Sequence, residues 1–571
     1  MDNSLSRRDF VGAAAAAISI PLLPGMASAE RVLRQVADQS GTLPIGIDDD
    51  LMEVTISRLH GLYGKRAYTA AQVTRWYLAR IVLYNGVYRA LSHVDARGAL
   101  ARAAELDAAA ARRRPDFAEQ PLWGVPIVIK ANTSLRGLVT SAGWWGYVLP
   151  GLELVAPRDA LVAAKLRAAG AIILGQTNMP DFAASDTTFS TAYGRTGNAY
   201  DVRCSPGGSS GGTVTSVAGN LCVLGTGTDT GNSIRMPAGT SSLVGILPTR
   251  GLTSIAGIQP LDWLRDNTGP IARDVADAVI ALDVMAGPDP LDARTEESKT
   301  RAQRGPYVNR LKTATLRGRR FGVPAFNMLE QPAGESNGRF AYLHPDTRAL
   351  FIKAVDEIRR AGATVVFDDA LLPMSFIDLV RKIDTGAYRG EGVEDFLKEF
   401  GPSEYHSSDE YAQAVGTMIP AYITGRMPTR PPGPDANPAP ASAPPPLLAR
   451  DPEAKTRYYE PRQNALDAFD QTLKQFDLDG YVYPAIQMPP NDELADLAEG
   501  HQSQGPHSET AWANPIGIPA VVVPGGFYDS GLPFGIEFST SRWRDGDLLG
   551  WAFAYEQATR HRRAPRLMTA R

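Results

Sequence analysis

Two cysteines and seven histidines are all that 571 residues contain, and that scarcity removes several kinds of chemistry. Cys204 and Cys222 are too few for a disulfide framework; an exported chain could join them, but two small buried residues is the simpler reading. No group of cysteine, histidine and carboxylate residues has metal-ligand spacing, and no glycine loop has the form G-x-x-x-x-G-K-[ST], so neither a metal nor another cofactor is expected. An excess of positive charge is also lacking. The 58 Lys and Arg residues against 62 Asp and Glu give a formal net charge of −4, which leaves no basic footprint for nucleic acid. Beyond the N-terminus, no stretch approaches the ~20 consecutive apolar residues that a membrane helix needs.

The first residues carry a different signal. Ser6-Arg7-Arg8-Asp9-Phe10-Val11 is followed by an alanine-rich apolar run from Gly12 to Leu23 and by Ala27-Ser28-Ala29. This resembles a twin-arginine export signal with an A-x-A cleavage site, so residues 1–29 are expected to be removed and the mature protein to be exported, to the periplasm, with no lasting membrane association. Pro21 and Pro24 interrupt the run, which argues against its use as an anchor.

Downstream, residues from about Thr55 to Arg112 carry helix-like apolar spacing and an alanine-rich run. From Pro121 the pattern changes to short β-branched runs, Val125 to Ile129 and Ala171 to Leu174, separated by helical stretches such as 159–169. Strands alternating with helices predict an α/β sheet. A helical and irregular section follows Met285 and ends in 428–446, where proline, alanine and glycine dominate and no core can form; it reads as a surface insertion. A late strand near Tyr481 and a final helix through Leu548 to Glu556 then close the chain, so residues 30–571 form one domain with an elaborated middle.

Two segments place serine hydroxyls among glycines: Pro206-Gly207-Gly208-Ser209-Ser210-Gly211-Gly212 and Gly227-Thr228-Asp229-Thr230-Gly231-Asn232-Ser233-Ile234-Arg235. Glycine lets backbone N–H groups approach a ligand closely, and a serine among such groups can attack a carbonyl whose oxyanion they stabilise. Upstream, Lys130 ends the apolar strand Val125-Pro126-Ile127-Val128-Ile129, which would carry its amine into a desolvated interior where the charged form is disfavoured. A lysine at a strand end can also simply reach solvent.

With Ala168 to Phe182, Asp266-Asn267-Thr268-Gly269-Pro270 and Asn514-Pro515-Ile516-Gly517-Ile518-Pro519 following in order, these motifs resemble the amidase signature family. The resemblance implies the family's large mixed β-sheet between helical layers (α/β/α). It also implies Ser233 as nucleophile, Ser209 on a cis peptide as proton relay and Lys130 as base. The oxyanion site would be the N–H groups of Thr230, Gly231 and Asn232. The implied reaction is hydrolysis of a small-molecule carboxylic acid amide, aryl, alkyl or peptide-terminal, through an acyl-enzyme. Two positions depart from the family's commoner pattern. Asn232 replaces glycine before the nucleophile, tolerable in a left-handed turn, and Ala131 replaces an acidic residue after the lysine. Asp229, Arg235 and Asp266 match family positions and are read as holding the loops by buried ion pairs and hydrogen bonds. Trp144, Trp145 and Tyr147 could line an apolar pocket or pack in the core.

Other readings compete. An esterase or carbamate hydrolase could use the same three residues, and a binding protein could use the same fold without catalysis. Gly207 to Gly211 also satisfies G-x-S-x-G, with His344, His406 and His507 available for a triad, but the preceding Asn198 to Pro206 is polar rather than an apolar strand. A Cys204 nucleophile lacks a histidine nearby in sequence. The family's glutaminase subunits of tRNA-dependent amidotransferases are an alternative that an export signal opposes.

Overall fold

Apolar runs without polar alternation, such as Val125 to Ile129, need cover on both faces of a sheet, and the molecule supplies it. A computed structural model describes residues 43–330, 342–425, 446–500 and 505–569. The export segment 1–29 lies outside these residues, as does the proline-rich stretch 428–446 apart from Pro446.

The strands are β1 (Leu91–Val94), β2 (Pro126–Lys130), β3 (Ile172–Thr177), β4 (Phe189–Ser190), β5 (Gly194–Arg195), β6 (Leu224–Asp229), β7 (Val244–Leu247), β8 (Asn267–Ala272), β9 (Arg320–Val323), β10 (Thr364–Phe367), β11 (Gly480–Pro484), β12 (Ala520–Phe527) and β13 (Pro533–Ser539). All but β4 and β5, which form their own hairpin, join one sheet in the order β1-β3-β2-β6-β8-β7-β12-β13-β11-β9-β10. β2 runs parallel to β3 and β6, and β9 parallel to β10 and β11, whereas β6, β8, β7, β12, β13 and β11 pair antiparallel in turn. The sheet is therefore mixed, as the family resemblance implies.

Strand β11 shows how the layers divide. Successive side chains point to opposite faces; Tyr481 and Tyr483 pack with Phe469 and Trp512 in one apolar cluster, while Val482 between them belongs to another with Phe538 and Val355. Helices cover both faces, giving the α/β/α architecture. The expected helical region contains the helices Ile56–Gly64, Ala70–Tyr88 and Ala96–Arg112. Thr55 and Asp95 each accept a bond from the first helical turn, and Thr69 and Gln72 form a reciprocal capping box, satisfying donors that a helix start leaves open.

Two expectations need correction. β1 lies inside the stretch read from its helix-like spacing, and the section after Met285 is more than helical and irregular because β9 and β10 complete the sheet's far edge. Each is a four-residue strand, too short for period-two alternation to stand out from neighbouring helical patterns.

Candidate active site

Both neighbours of β2 are strands, so its last residue enters the interior. Lys130 is fully buried. Its Nζ donates to Ser209 Oγ at 2.7 Å, Ser210 Oγ at 3.0 Å and the Thr228 carbonyl at 3.4 Å. Burial lowers the pKa of this amine to about 7, against an opposing pull from Asp229 and Asp266. A lysine so placed exchanges protons near neutrality, and the solvent-reaching alternative is excluded.

The Ser209 loop is held by close backbone approach. Gly207 adopts φ +73°, and a Cβ on Gly208 would sit 2.2 Å from the Thr187 carbonyl oxygen, so this turn requires glycine. The Gly208–Ser209 peptide is cis. Ser210 N–H donates to the Ser233 carbonyl at 3.2 Å, which ties this loop directly to the second serine segment. Ser233 itself is 6% exposed.

At the end of β6, Asp229 Oδ2 accepts from Ile234 N–H at 2.9 Å and Arg235 N–H at 3.4 Å. The N–H groups of Thr230, Gly231, Asn232 and Ser233 between these positions take no partner among the described residues. Consecutive unpaired donors of this kind form an anion-binding concavity. Thr230 Oγ1 donates to Asp266, whose other oxygen accepts from Leu261 and Asp262 N–H at 2.9 and 3.1 Å. Asn232 fits the turn for a reason other than the expected one. Its φ is not positive, so the position makes no left-handed demand, and its carbonyl accepts from Met236 N–H at 2.8 Å. Ala131 is buried, with its N–H on Thr177 and its carbonyl on Ala142; only its backbone is engaged in hydrogen bonds.

A second tier holds this loop. The buried guanidinium of Arg235 donates to Asp229 at 3.1 Å, Glu537 at 2.7 Å, Asn514 Oδ1 at 2.7 Å, the Thr510 carbonyl at 2.9 Å and the Gly231 carbonyl. Asn514 returns a bond to the Asp229 carbonyl at 2.7 Å, and Tyr483 donates to Glu537 at 2.8 Å. The loop-holding role read for Asp229, Arg235 and Asp266 is therefore observed. Glu537 and Thr510 received no role from the sequence; a glutamate between Ile536 and Phe538 in an otherwise apolar run was the available signal.

Residues 72–389 match the family model Amidase. The chain belongs to the amidase signature family. It is 30% identical over 530 residues to one component of the glutamyl-tRNA(Gln) amidotransferase of Symbiobacterium thermophilum, covering 90% of this chain and 99% of that component. Among solved structures, the native peptide amidase from Stenotrophomonas maltophilia superposes with a TM-score of 0.71 at 29% identity, covering 90% of this chain and 98% of that one. A bacterial aryl acylamidase shares the fold, with a TM-score of 0.69 at 21% identity, covering 89% of this chain and 96% of that one. The protein is accordingly an amidohydrolase acting on amide C–N bonds.

In this amidase the competing features find structural places. Trp144 and Tyr147 are buried and pack with Phe182 and Tyr411, joining the segment after Lys130 to the elaborated middle; Trp145 is 43% exposed. Trp144 and Tyr147 are thus core residues. Cys204 and Cys222 are free and buried; burial pushes both thiols up to about 12, so neither supplies a thiolate and the two are not joined. Among the described residues no strand leads into the Gly207 loop, and the partner of Ser209 is Lys130 rather than a histidine, which removes the nucleophile-elbow reading.

Proposed function

We propose that this amidase hydrolyses a small-molecule carboxylic acid amide through an acyl-enzyme on Ser233, with Ser209 relaying protons to Lys130. The observation that carries the reading is a fully buried lysine amine 2.7 Å from a serine hydroxyl, where burial lowers its pKa to about 7. Neutral Lys130 takes the Ser209 proton as Ser209 takes that of Ser233; Ser233 Oγ attacks the carbonyl, and the N–H groups of Thr230, Gly231 and Asn232 receive the oxyanion. The proton returns along the same path to the leaving amine. Water, activated by the same pair, then releases the acid. Esters acylate more readily than amides, so esterase side activity is expected on the same residues.

Aryl, alkyl and peptide-terminal amides are all compatible with these groups, and similarity to amidotransferase components supports the same chemistry. We assign free amide hydrolysis in an exported protein, rather than work on aminoacyl-tRNA, on the Ser6-Arg7-Arg8 segment and the absence of a basic footprint. Export itself is checked by fractionating cells and sequencing the mature N-terminus, expected near Glu30; retention in the cytoplasm with residues 1–29 intact would refute it.

Treatment of the protein with a fluorophosphonate should give a single adduct on Ser233 in peptide mass spectra, absent from Ser233→Ala. An adduct on Ser209 or Ser210 would overturn the assignment. Because the base must be unprotonated, kcat/KM should rise with pH about tenfold per unit below neutrality and level off above the Lys130 pKa of about 7. An optimum on the acidic side would contradict Lys130 as the base.

A further inference from the structure

Next in the chain to the carboxylate that holds the oxyanion loop is a cation that makes no hydrogen bond or ion pair among the described residues. Arg265 precedes Asp266, the carboxylate that fixes Thr230, and Thr230 opens the run of unpaired N–H groups leading to Ser233. Among the described residues, the Arg265 guanidinium makes no hydrogen bond or ion pair; its Nε is enclosed without a partner. The terminal nitrogens are not enclosed, so they reach accessible space. Burial lowers its pKa and Asp262 opposes that shift, while Arg389 adds a charge of the same sign.

The neighbouring carboxylates are committed elsewhere. Asp266 uses both oxygens on Thr230, Leu261 and Asp262. Asp262 Oδ2 accepts from Thr385 at 2.5 Å and from Arg389 Nε at 3.4 Å, and Arg389 also donates to the Tyr422 carbonyl. Asp262 Oδ1 is left without a bond yet makes no ion pair with Arg265. Enclosing the Nε of a guanidinium without a partner is costly, and the planar fork matches a carboxylate in two parallel bonds.

We infer that Arg265 is a specificity-determining residue that binds a free carboxylate carried by the amide substrate. The inference rests on the amidase reading and narrows its substrate class to anionic amides. Its chain neighbour Asp266 holds Thr230, which ties Arg265 to the loop that carries Ser233.

The test uses succinyl- and glutaryl-p-nitroanilide against the uncharged butyryl- and pentanoyl-p-nitroanilides. For the amine half, it uses 4-acetamidobenzoate against acetanilide. On one of these pairs the full-length wild type should favour the anionic member by at least about tenfold in kcat/KM, mainly through KM, as expected when a desolvated charge finds its partner. In Arg265→Gln that ratio should fall to near unity, and Arg265→Lys should restore part of it. A purely structural role would lower both members of a pair in parallel and leave the ratio unchanged, which would overturn the inference. So would a wild type that is labelled at Ser233 and hydrolyses uncharged anilides without preferring the anionic ones, although amide hydrolysis would then stand. Neither labelling nor turnover of any of the six amides would overturn both.

Discussion

Lys130→Met is expected to reduce turnover by about four orders of magnitude, in line with loss of one member of a catalytic triad, while leaving the protein at least as stable as the wild type at neutral pH. The activity loss follows because no other base among the described residues lies on the Ser209 hydroxyl. The stability result follows from the proton balance. An ordinary lysine titrates near 10.5 and Lys130 near 7. Between these values the unfolded chain carries a proton that the folded chain lacks, so unfolding takes up a proton and wild-type stability climbs with pH across that window. At and below pH 7 the cost of burying the amine is present in full, amounting to a few kcal/mol. Methionine carries no such cost. The melting temperature of Lys130→Met should therefore exceed that of the wild type most at pH 7 and below, with the gap closing towards pH 10. A variant that melts well below the wild type at every pH would show that the amine's three hydrogen bonds outweigh its desolvation.

The second large effect is structural. Arg235→Met should destabilise the protein by about 3–5 kcal/mol, the usual result of leaving a buried counter-charge unpaired, read as a fall in melting temperature. Asp229 and Glu537, both fully buried, would then face each other's charge without the guanidinium. Arg235→Lys should rescue little, because bonds to five groups from a fixed fork cannot be made by an ammonium. Adding Glu537→Gln to Arg235→Met should recover part of the loss. Stability of Arg235→Met within about 1 kcal/mol of the wild type would mean that the carboxylates accept protons instead. Amide hydrolysis should fall as well, since the same guanidinium holds the Gly231 carbonyl and, through Asp229, the turn that presents Ser233.

What could be read in advance was local. Lys130 was legible because an apolar run with no alternation must be buried on both faces and carries its last residue inward. The Ser209 loop stood out because glycines lie on both sides of its hydroxyls, and the Ser233 segment because Gly227 and Gly231 precede the serine; the roles given to the two serines came from the family resemblance. The bracing of Arg235 was not. Thr510, Asn514 and Glu537 are more than 270 residues away along the chain, and no periodicity in one segment specifies contacts with such distant ones. Asn232 illustrates the same limit in backbone terms: the residue suggested a left-handed turn, and the surrounding hydrogen bonds supply an ordinary one. Nothing in the sequence around Arg265 shows that the carboxylates of Asp262 and Asp266 are taken up by other groups.

The dispersal of the brace bears on how members of such a family can vary. A chain cut where the family match ends, at residue 389, would inherit Lys130, Ser209 and Ser233 yet lose three of the groups that Arg235 grips. β7 would also lose β12, its neighbour in the sheet. Recombination between relatives would therefore have to exchange the two ends of the gene as a matched set, whereas the strands of the elaborated segment between them only extend the far edge of the sheet, and that segment is tied to the rest where Tyr411 meets Trp144 and Tyr147 and where Thr385 and Arg389 meet Asp262.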